Sequence, residues 1–540
     1  MGSNVCSELR GGFGSNACCK SFEDRIMTCP RSFSCLPLLL LLPGTAHGAV
    51  VPGPCPTPGV CIKIGASLTL MDPDHGRFLI SQDNYWNLQF FADKWNKAQA
   101  SVSSNPVYVE LHLHDDEGTG ASVKAIYDRF VDPNDPDHVD FLLSPFGNNH
   151  GPAIAKLAND AGKVYISYTG YAAASFNKGY KKVFSGSGNP AGGFIRPPVE
   201  LLRVRDVKTA AIFTDGRAYT KQQATKAKTL LANANITVIG EEHLSQDAYE
   251  YEGRTDEFHN NWKKLCDLKP EAMFAFTNVN DGQLHDTAFK NSLSCPFKAT
   301  LLWPLMNHMG FVTQHKVEFE KFGVMGSAMM ASNEKYQDAL FGSAKKFYED
   351  LYAFHDEDPQ FLGSARSAGA AHILTLAAQR AIGSGTAVPS QDAVAQALHD
   401  MYGTETWAGP YGFKKCTDAE FADGTTVCNI NELLIYFATQ VQSSGLETVY
   451  PLDAQTATFV YPSPIAAPPA PAPPASDSDD DDSDNTTMII IIVVLGVVIL
   501  LLCVCLVVIL RRPSVQAKLK DMRGGAPKEP DANVMGNAEI

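Results

Sequence analysis

The sequence is short of positive charge. Its 540 residues hold 44 Lys and Arg against 59 Asp and Glu, a formal net charge of −15. A nucleic-acid binder needs a basic face to displace counterions from phosphate, so the balance argues against that class. Catalytic signatures are missing too. No GxSxG turn exposes a nucleophilic serine, and no GxxxxGK loop followed by Ser or Thr cradles phosphate. Gly186 to Ala191 formally matches GxGxxA, with Asp206 further on. Asp206 precedes the next expected strand, however, whereas a ribose-binding acid has to end it. Cysteines at CxxC spacing are absent from the central region, which argues against structural zinc on thiolates.

What is present begins with a long apolar run. Residues 488–510 read MIIIIVVLGVVILLLCVCLVVIL without a charge. At about 1.5 Å per residue such a run spans a hydrocarbon core of about 30 Å. Arg511 and Arg512 follow at once, and an acidic run, Asp477 to Asp484, precedes. The basic flank is expected on the cytoplasmic side, so the bulk of the chain lies outside and 511–540 forms a tail inside. The expected location is the cell membrane, as a single-pass type I protein. At the other end, Arg31, the apolar stretch Leu36 to Leu42 and Ala46-His47-Gly48 make a signal-peptide pattern over 1–48, best started at Met27.

Six cysteines lie between these segments: Cys55, Cys61, Cys266, Cys295, Cys416 and Cys428. In an oxidising compartment an even set suits three bridges, and pairing sequence neighbours is the simplest of the connectivities open. Asn235-Ile236-Thr237 is a glycosylation sequon.

Residues 49–61 read as a Pro-rich lead-in, 62–462 as the folded mass, and 463–487, Pro/Ala then Asp/Ser, as a stalk that cannot bury a core. Within the folded mass strands and helices alternate. Strands are expected at 62–66, 107–114, 139–143, 164–167, 207–213, 236–240, 273–277 and 300–303. Helices are expected at 81–98, 121–130, 153–161 and 221–233. In 81–98, Trp86, Phe90, Phe91 and Trp95 recur at helical spacing. Alternation of this kind calls for parallel sheets with helices on both faces. Two such series exceed one ordinary domain, so the expected fold is α/β with two doubly wound lobes. Ligands of such sheets bind beyond the strand carboxyl ends.

Several stretches carry a resemblance: IKIGASLTLMDPDHG, VELHLHDDEGTGASVKAIYDRFV, VDFLLSPFGNNHGPAIAKLANDAGKVYISYTG, VKTAAIFTDGRAYTKQQA and GTETWAGPYGF. In order and spacing they resemble type I periplasmic-binding-protein domains of the leucine/isoleucine/valine-binding kind, and the receptor ligand-binding regions like them. The resemblance spans about 62–445. It implies a clamshell with lobe one at 62–184 and 333–408, lobe two at 185–332 and 409–445, and three hinge crossings. It implies binding rather than catalysis, with no cofactor.

The resemblance also implies a pocket. Asn148 and Asn149 stand in the loop after the third strand; capping the next helix is the plainer job for either. Tyr168, Thr169 and Tyr171 follow the fourth strand, placed to donate to a carboxylate. Tyr219 matches a tyrosine that covers the ligand, and packing on a lobe surface is its alternative. Asn278, Asp281 and Asn307 occupy lobe-two loops. The loop 304–308, where amino-acid binders keep a glutamate for the ammonium, reads Pro-Leu-Met-Asn-His and holds no carboxylate. His75, His150 and His308 fall on cleft loops, and three together suit a metal or a pH response. His112 and His114 share one strand face, although a strand end and turn explains them as well.

The reading is a membrane-anchored, receptor-like protein that closes on a small polar solute, an amino acid, amide or urea-like compound. The tail holds no catalytic domain, so signalling requires a partner. A homodimer is compatible with this. Three alternatives stay open: a solute-capture subunit of a transporter, a surface structural or adhesion protein with a degenerate cleft, and an extracytoplasmic enzyme on the same sheets.

Overall fold

A computed structural model provides the structure of the chain. It describes residues 48–51, 55–70, 78–102, 105–146, 150–169, 173–187, 192–216, 218–245, 254–277, 297–303, 306, 309–328, 334–356, 362–383, 385–423 and 426–464. By internal contacts the chain divides into Met1–Ala467 and Pro468–Ile540, and all the described residues belong to the first unit. Among them no helix is long and apolar enough to cross a membrane. The run 488–510, residues 1–47 of the signal region and 465–487 of the stalk lie outside the described residues.

The first sheet contains β1 (Gly48–Val51), β2 (Val60–Leu68), β3 (Val107–Asp115), β4 (Phe141–Leu143), β5 (Tyr165–Ser167) and β6 (Val183–Ser185) in the order β1-β3-β2-β4-β5-β6. All pairings are parallel except β1 with β3. Three helices alternate with these strands: α1 (Phe78–Gln99), α2 (Gly120–Val131) and α3 (Gly151–Asp160). Strand alternation sends side chains to two cores. Ile62, Ile64, Leu68, Val109, Leu111, Phe141, Leu143, Ile166 and Phe184 face α1, together with the helix Arg366–Ile382. Leu142, Tyr165 and Val183 face the opposite way, against Val123, Tyr127 and Phe130 of α2 and Ile154 of α3. A strand covered on both faces reads as a nearly continuous apolar run, because each Ile, Leu or Phe withdrawn from water is worth about 1.5–3 kcal/mol. On α1 the aromatic spacing acts as expected: Phe90, Phe91 and Trp95 are buried, while Trp86 stacks on His355 at 5.3 Å.

The second lobe follows the same plan. Its helices are α4 (Arg196–Val204), α5 (Ala218–Asn233) and α6 (Arg254–Asp267). Its first strands are β7 (Thr209–Thr214), β8 (Thr237–His243), β9 (Ala272–Phe276), β10 (Ala299–Trp303) and β11 (Val324–Ala328). Two short ribbons come next, β12 (Gln337–Asp338) with β13 (Gly342–Ser343) and β14 (Thr404–Thr406) with β15 (Gly409–Tyr411). The antiparallel pair β16 (Phe437–Gln442) and β17 (Gly445–Tyr450) returns to the second sheet, whose order is β17-β16-β11-β10-β9-β7-β8. Ile212, Phe274 and Trp303 line one core of this lobe; Phe213, Met273 and Leu302 line the other.

The expected strands and helices are present with ends shifted by a few residues. Three expectations need correcting. The lead-in 49–61 holds structure: Gly48–Val51 pairs with β3 as an edge strand, and β2 starts at Val60. The return to lobe two comes later than 409, because Tyr411 and Phe413 pack in the first lobe's core beside Trp407, which stacks on Phe347 at 3.5 Å. Lobe two also runs past 445, through β17 to Ser463, whose N–H donates to the Lys298 carbonyl at 2.8 Å. The bridges Cys55–Cys61 and Cys416–Cys428 form as expected, with Cα separations of 5.8 and 5.7 Å. Cys266 is disulfide-bonded too. Its expected partner, Cys295, lies outside the described residues.

Candidate functional site

Both sheets contain the strand order 2-1-3-4-5, as β3-β2-β4-β5-β6 and as β8-β7-β9-β10-β11. In each, the winding reverses beside the first strand, between β2 and β4 and between β7 and β9. A crevice opens at such a point beyond the carboxyl ends, because neighbouring connections leave toward opposite faces. The chain crosses to lobe two directly after the carboxyl end of β6 and crosses back after that of β11. The carboxyl edges of both sheets therefore adjoin the crossings, and the candidate site lies there.

On lobe one, polar side chains crowd this edge. Asp116, buried, accepts from Ser67 Oγ at 2.9 Å, Thr69 Oγ1 at 2.8 Å and the Gly118 N–H at 3.0 Å. Ser144 Oγ accepts from the Tyr168 N–H at 3.2 Å, and Thr169 Oγ1 donates to the Pro145 carbonyl at 3.2 Å. The loops after β4 and β5 are thus cross-linked. The Tyr168 ring is fully buried in the core facing α1, yet its hydroxyl has no hydrogen-bond partner among the described residues. Burial, with the nearby Asp116 charge and Tyr165, pushes that hydroxyl far above its usual range. It keeps its proton throughout the physiological pH range and can act as a hydrogen-bond donor.

On lobe two, Asp215 follows β7. Its Oδ1 accepts from Thr220 Oγ1 at 2.5 Å, and its N–H donates to the Phe276 carbonyl at 3.1 Å. Gly216 has φ +83°, and a Cβ there would lie 2.2 Å from the Leu244 carbonyl oxygen, so the turn needs glycine. Thr277 follows β9 and its N–H donates to the Trp303 carbonyl at 2.9 Å.

Of the expected site residues, the structure brings Tyr168 and Thr169 to the first lobe's carboxyl edge. It places Tyr219 in the first turn of α5, just beyond β7. Asn148, Asn149, Tyr171, Asn278, Asp281 and Asn307 lie outside the described residues, as do His75 and His308. Position N-cap of α3 falls to His150, which makes no side-chain capping bond. Asp206, read above as misplaced for a ribose, sits in an exposed left-handed turn after α4.

A polar patch escaped the sequence reading. Ser81, Asn84 and Asn87 on the first turns of α1 are fully buried. Asn87 Nδ2 donates to Ser364 Oγ at 3.2 Å, and Ser367 Oγ donates to the Asn84 carbonyl at 3.3 Å. Neither side-chain atom of Asn84 has a partner among the described residues. The signal was there: three polar residues spaced by three on a helix whose aromatic face continues below them.

The crossings are tied together. Ser185 exchanges backbone hydrogen bonds of 2.9 Å with Asn429 and Asn431, and Arg366 Nη1 donates to the Gly186 carbonyl at 3.3 Å. Tyr436 Oη donates to the Ser187 carbonyl at 2.6 Å. A cavity of about 820 Å³ lies against these segments, lined by Gly193, Arg196, Lys335, Asn431, Tyr436 and Pro451 among others. No expected site residue lines it, and no strand of either switch point ends there, so the candidate site stays at the carboxyl edges.

No family model matches the sequence, and no curated protein does. Solved structures do match. A leucine-binding protein from Thermotoga maritima superposes with a TM-score of 0.54 at 13% identity, over 72% of this chain and 97% of that one. A transporter solute-binding protein from R. palustris, in complex with benzoate, gives 0.55 at 13%, over 74% and 98%. The branched-chain amino acid transporter substrate-binding protein of Streptococcus pneumoniae, in complex with isoleucine, gives 0.52 at 15%, over 72% and 100%. The fold is that of type I periplasmic binding proteins.

Proposed function

We propose that this two-lobed domain binds a small polar solute between its carboxyl edges, at the outer face of a membrane to which the run 488–510 anchors it. The observation that carries the reading is the paired switch point, one per lobe, with buried hydroxyl groups at both. Isoleucine and benzoate, held by two of the similar structures, each bear a carboxylate. Hydroxyl donors such as Tyr168 suit one. The loop 304–308 supplies no carboxylate for an ammonium group. The ligand class is therefore a small organic acid, amide or urea-like compound, or an amino acid whose ammonium is met by Asp281 from a neighbouring loop. Closure follows if the solute binds the closed state better than the open one. No bond is broken, so the activity is binding.

The exposed turn between α5 and β8 holds Asn235 with φ 60°, which supports its use as a glycosylation site. The tail 511–540 requires a partner for any signal. The similarity to transporter solute-binding proteins favours a second reading, delivery of the solute to a transporter in the same membrane. A thermal-shift screen of the full-length chain in detergent tests the binding reading. A solute at a hundred times its dissociation constant adds about 2.7 kcal/mol. Silence across amino acids, amides, ureas and small carboxylates would leave the structural or adhesive reading in its place.

A further inference from the structure

β3 carries Glu110, His112 and His114 on one face, because residues two apart on a strand point the same way. This is the face covered by α2: the His114 ring meets Phe130 edge-on at 5.2 Å. His112 and His114 are only 3% and 4% exposed. The turn that follows α2 brings Asp137 against them. One ring nitrogen from each histidine and a carboxylate oxygen of Asp137 all lie within 4.8 Å of one another.

The surrounding bonds prepare these atoms. His112 Nε2 lies 2.7 Å from Glu110 Oε1. With Nε2 so engaged, Nδ1 keeps the free lone pair, and it is buried without a hydrogen-bond partner among the described residues. A carboxylate that holds one ring nitrogen and leaves the other open is the companion that metal-ligating histidines usually have. His114 Nε2 is 3.8 Å from Asp137 Oδ2, beyond hydrogen-bond range. Buried polar atoms are seldom left unmet, which makes His112 Nδ1 the atom of this cluster that calls for a ligand.

We propose that His112, His114 and Asp137 bind a divalent transition-metal ion of the zinc class, with Glu110 as the positioning residue for His112. Two imidazoles and one carboxylate, with water in the fourth place, form a tetrahedral set. Ligand atoms at about 2.0–2.1 Å from such an ion stand about 3.4 Å apart, so the side chains draw in by about 1 Å. Nitrogen-rich sites disfavour magnesium and calcium, which demand oxygen. The Cys55–Cys61 pair beside Glu110 does not contribute, because its sulfurs are bonded to each other. Arg129 does matter. Its Nη2 contacts Asp137 Oδ2, so the guanidinium competes with the ion for the same oxygen. Arg129 Nε also lies 3.7 Å from Asp135 Oδ1, which offers the displaced guanidinium another carboxylate. The ion ties the turn after α2 to β3, independently of any solute at the carboxyl edges.

The test uses the full-length chain in detergent, stripped with a chelator and titrated with Co²⁺, Zn²⁺ and, as a control, Mg²⁺. The expected result is a single Co²⁺ with the intense visible bands of tetrahedral coordination, displaced by Zn²⁺, with a rise in Tm and no response to Mg²⁺. His114→Ala and Asp137→Asn should each lower the affinity at least tenfold. Asp137 lies in a turn, so its variant keeps the site testable if His114→Ala fails to fold. Glu110→Gln should lower affinity by about 10–100-fold. Arg129→Gln should raise it several-fold, an effect that a merely structural ion pair would not produce. Absence of a tetrahedral Co²⁺ spectrum, or Zn²⁺ affinity unchanged in both Asp137→Asn and Arg129→Gln, overturns the proposal.

Discussion

Tyr436 reaches from the last crossing to the first, its hydroxyl donating to the Ser187 carbonyl at 2.6 Å. Gly193 makes room for the ring, since a Cβ there would lie 2.2 Å from it. Tyr436→Phe keeps the ring and deletes the bond. We expect a loss of about 1 kcal/mol in urea unfolding, the usual net worth of a buried hydrogen bond, and more where the abandoned carbonyl stays dry. An unchanged midpoint would mean that the hinge does not depend on this link.

Tyr168→Phe should act in the opposite sense. The hydroxyl is buried without a partner among the described residues, so removing it leaves the unliganded protein as stable as before or up to about 1 kcal/mol more stable. If it meets the solute, the thermal shift on ligand addition shrinks in the same variant. A clear loss of unliganded stability would show that the hydroxyl serves the fold instead.

Gly216→Ala should destabilise by about 2 kcal/mol or more. The position combines φ +83° with a backbone oxygen where the methyl would go, and a carbonyl moves less readily than a side chain. Circular dichroism melting of the variant checks this. Recovery of wild-type stability would mean that the β7 turn relaxes.

Acid should weaken the first lobe through His372. Its ring is buried among Phe341, Trp95 and Phe91, and burial pulls it down to about 4, against a partial pull upward from Asp338. The folded pKa lies below the unfolded value of 6.5. The unfolded chain therefore binds more protons in between, and stability, complete above that range, falls as pH drops toward 4. Urea midpoints at about pH 7.5 and about pH 5 should differ in wild type and differ less in His372→Gln.

Breaking the Cys416–Cys428 bridge, with both residues changed to Ser, should cost about 2–4 kcal/mol by freeing the loop it closes in the unfolded chain. A smaller cost would show that the isolated β-bridge between Phe413 and Asn431 holds this segment by itself.

The elements were legible where burial on two faces leaves an apolar run, as in β2 and β3, or where aromatics mark a helical stripe, as in α1. What stayed illegible depended on distant partners. Nothing local marks Gly48–Val51 as a strand, since its pairing partner is β3, far along the chain. Tyr411 and Phe413 fell to lobe two by the boundary at 409, but they pack in the first lobe's core, with Phe413 edge-on to Phe184. Tyr168 read as a pocket donor from its place after β5. Its burial arises from a core that the helix Arg366–Ile382 completes. Ser81, Asn84 and Asn87 were readable as a pattern, but their burial against Ser364 and Ser367 was not.

The first lobe is written in two pieces, with the second lobe between them. Its sheet is finished at β6, but one face of that sheet is covered by Arg366–Ile382, which the ribosome supplies only after all of α4 to β11. Until then that face has only α1 over it, and α1 lacks the helix it packs against. During synthesis the nascent chain presents a sticky, half-built sheet while a later-coded domain folds ahead of it. The first lobe therefore cannot be completed until the last third of the chain has been made.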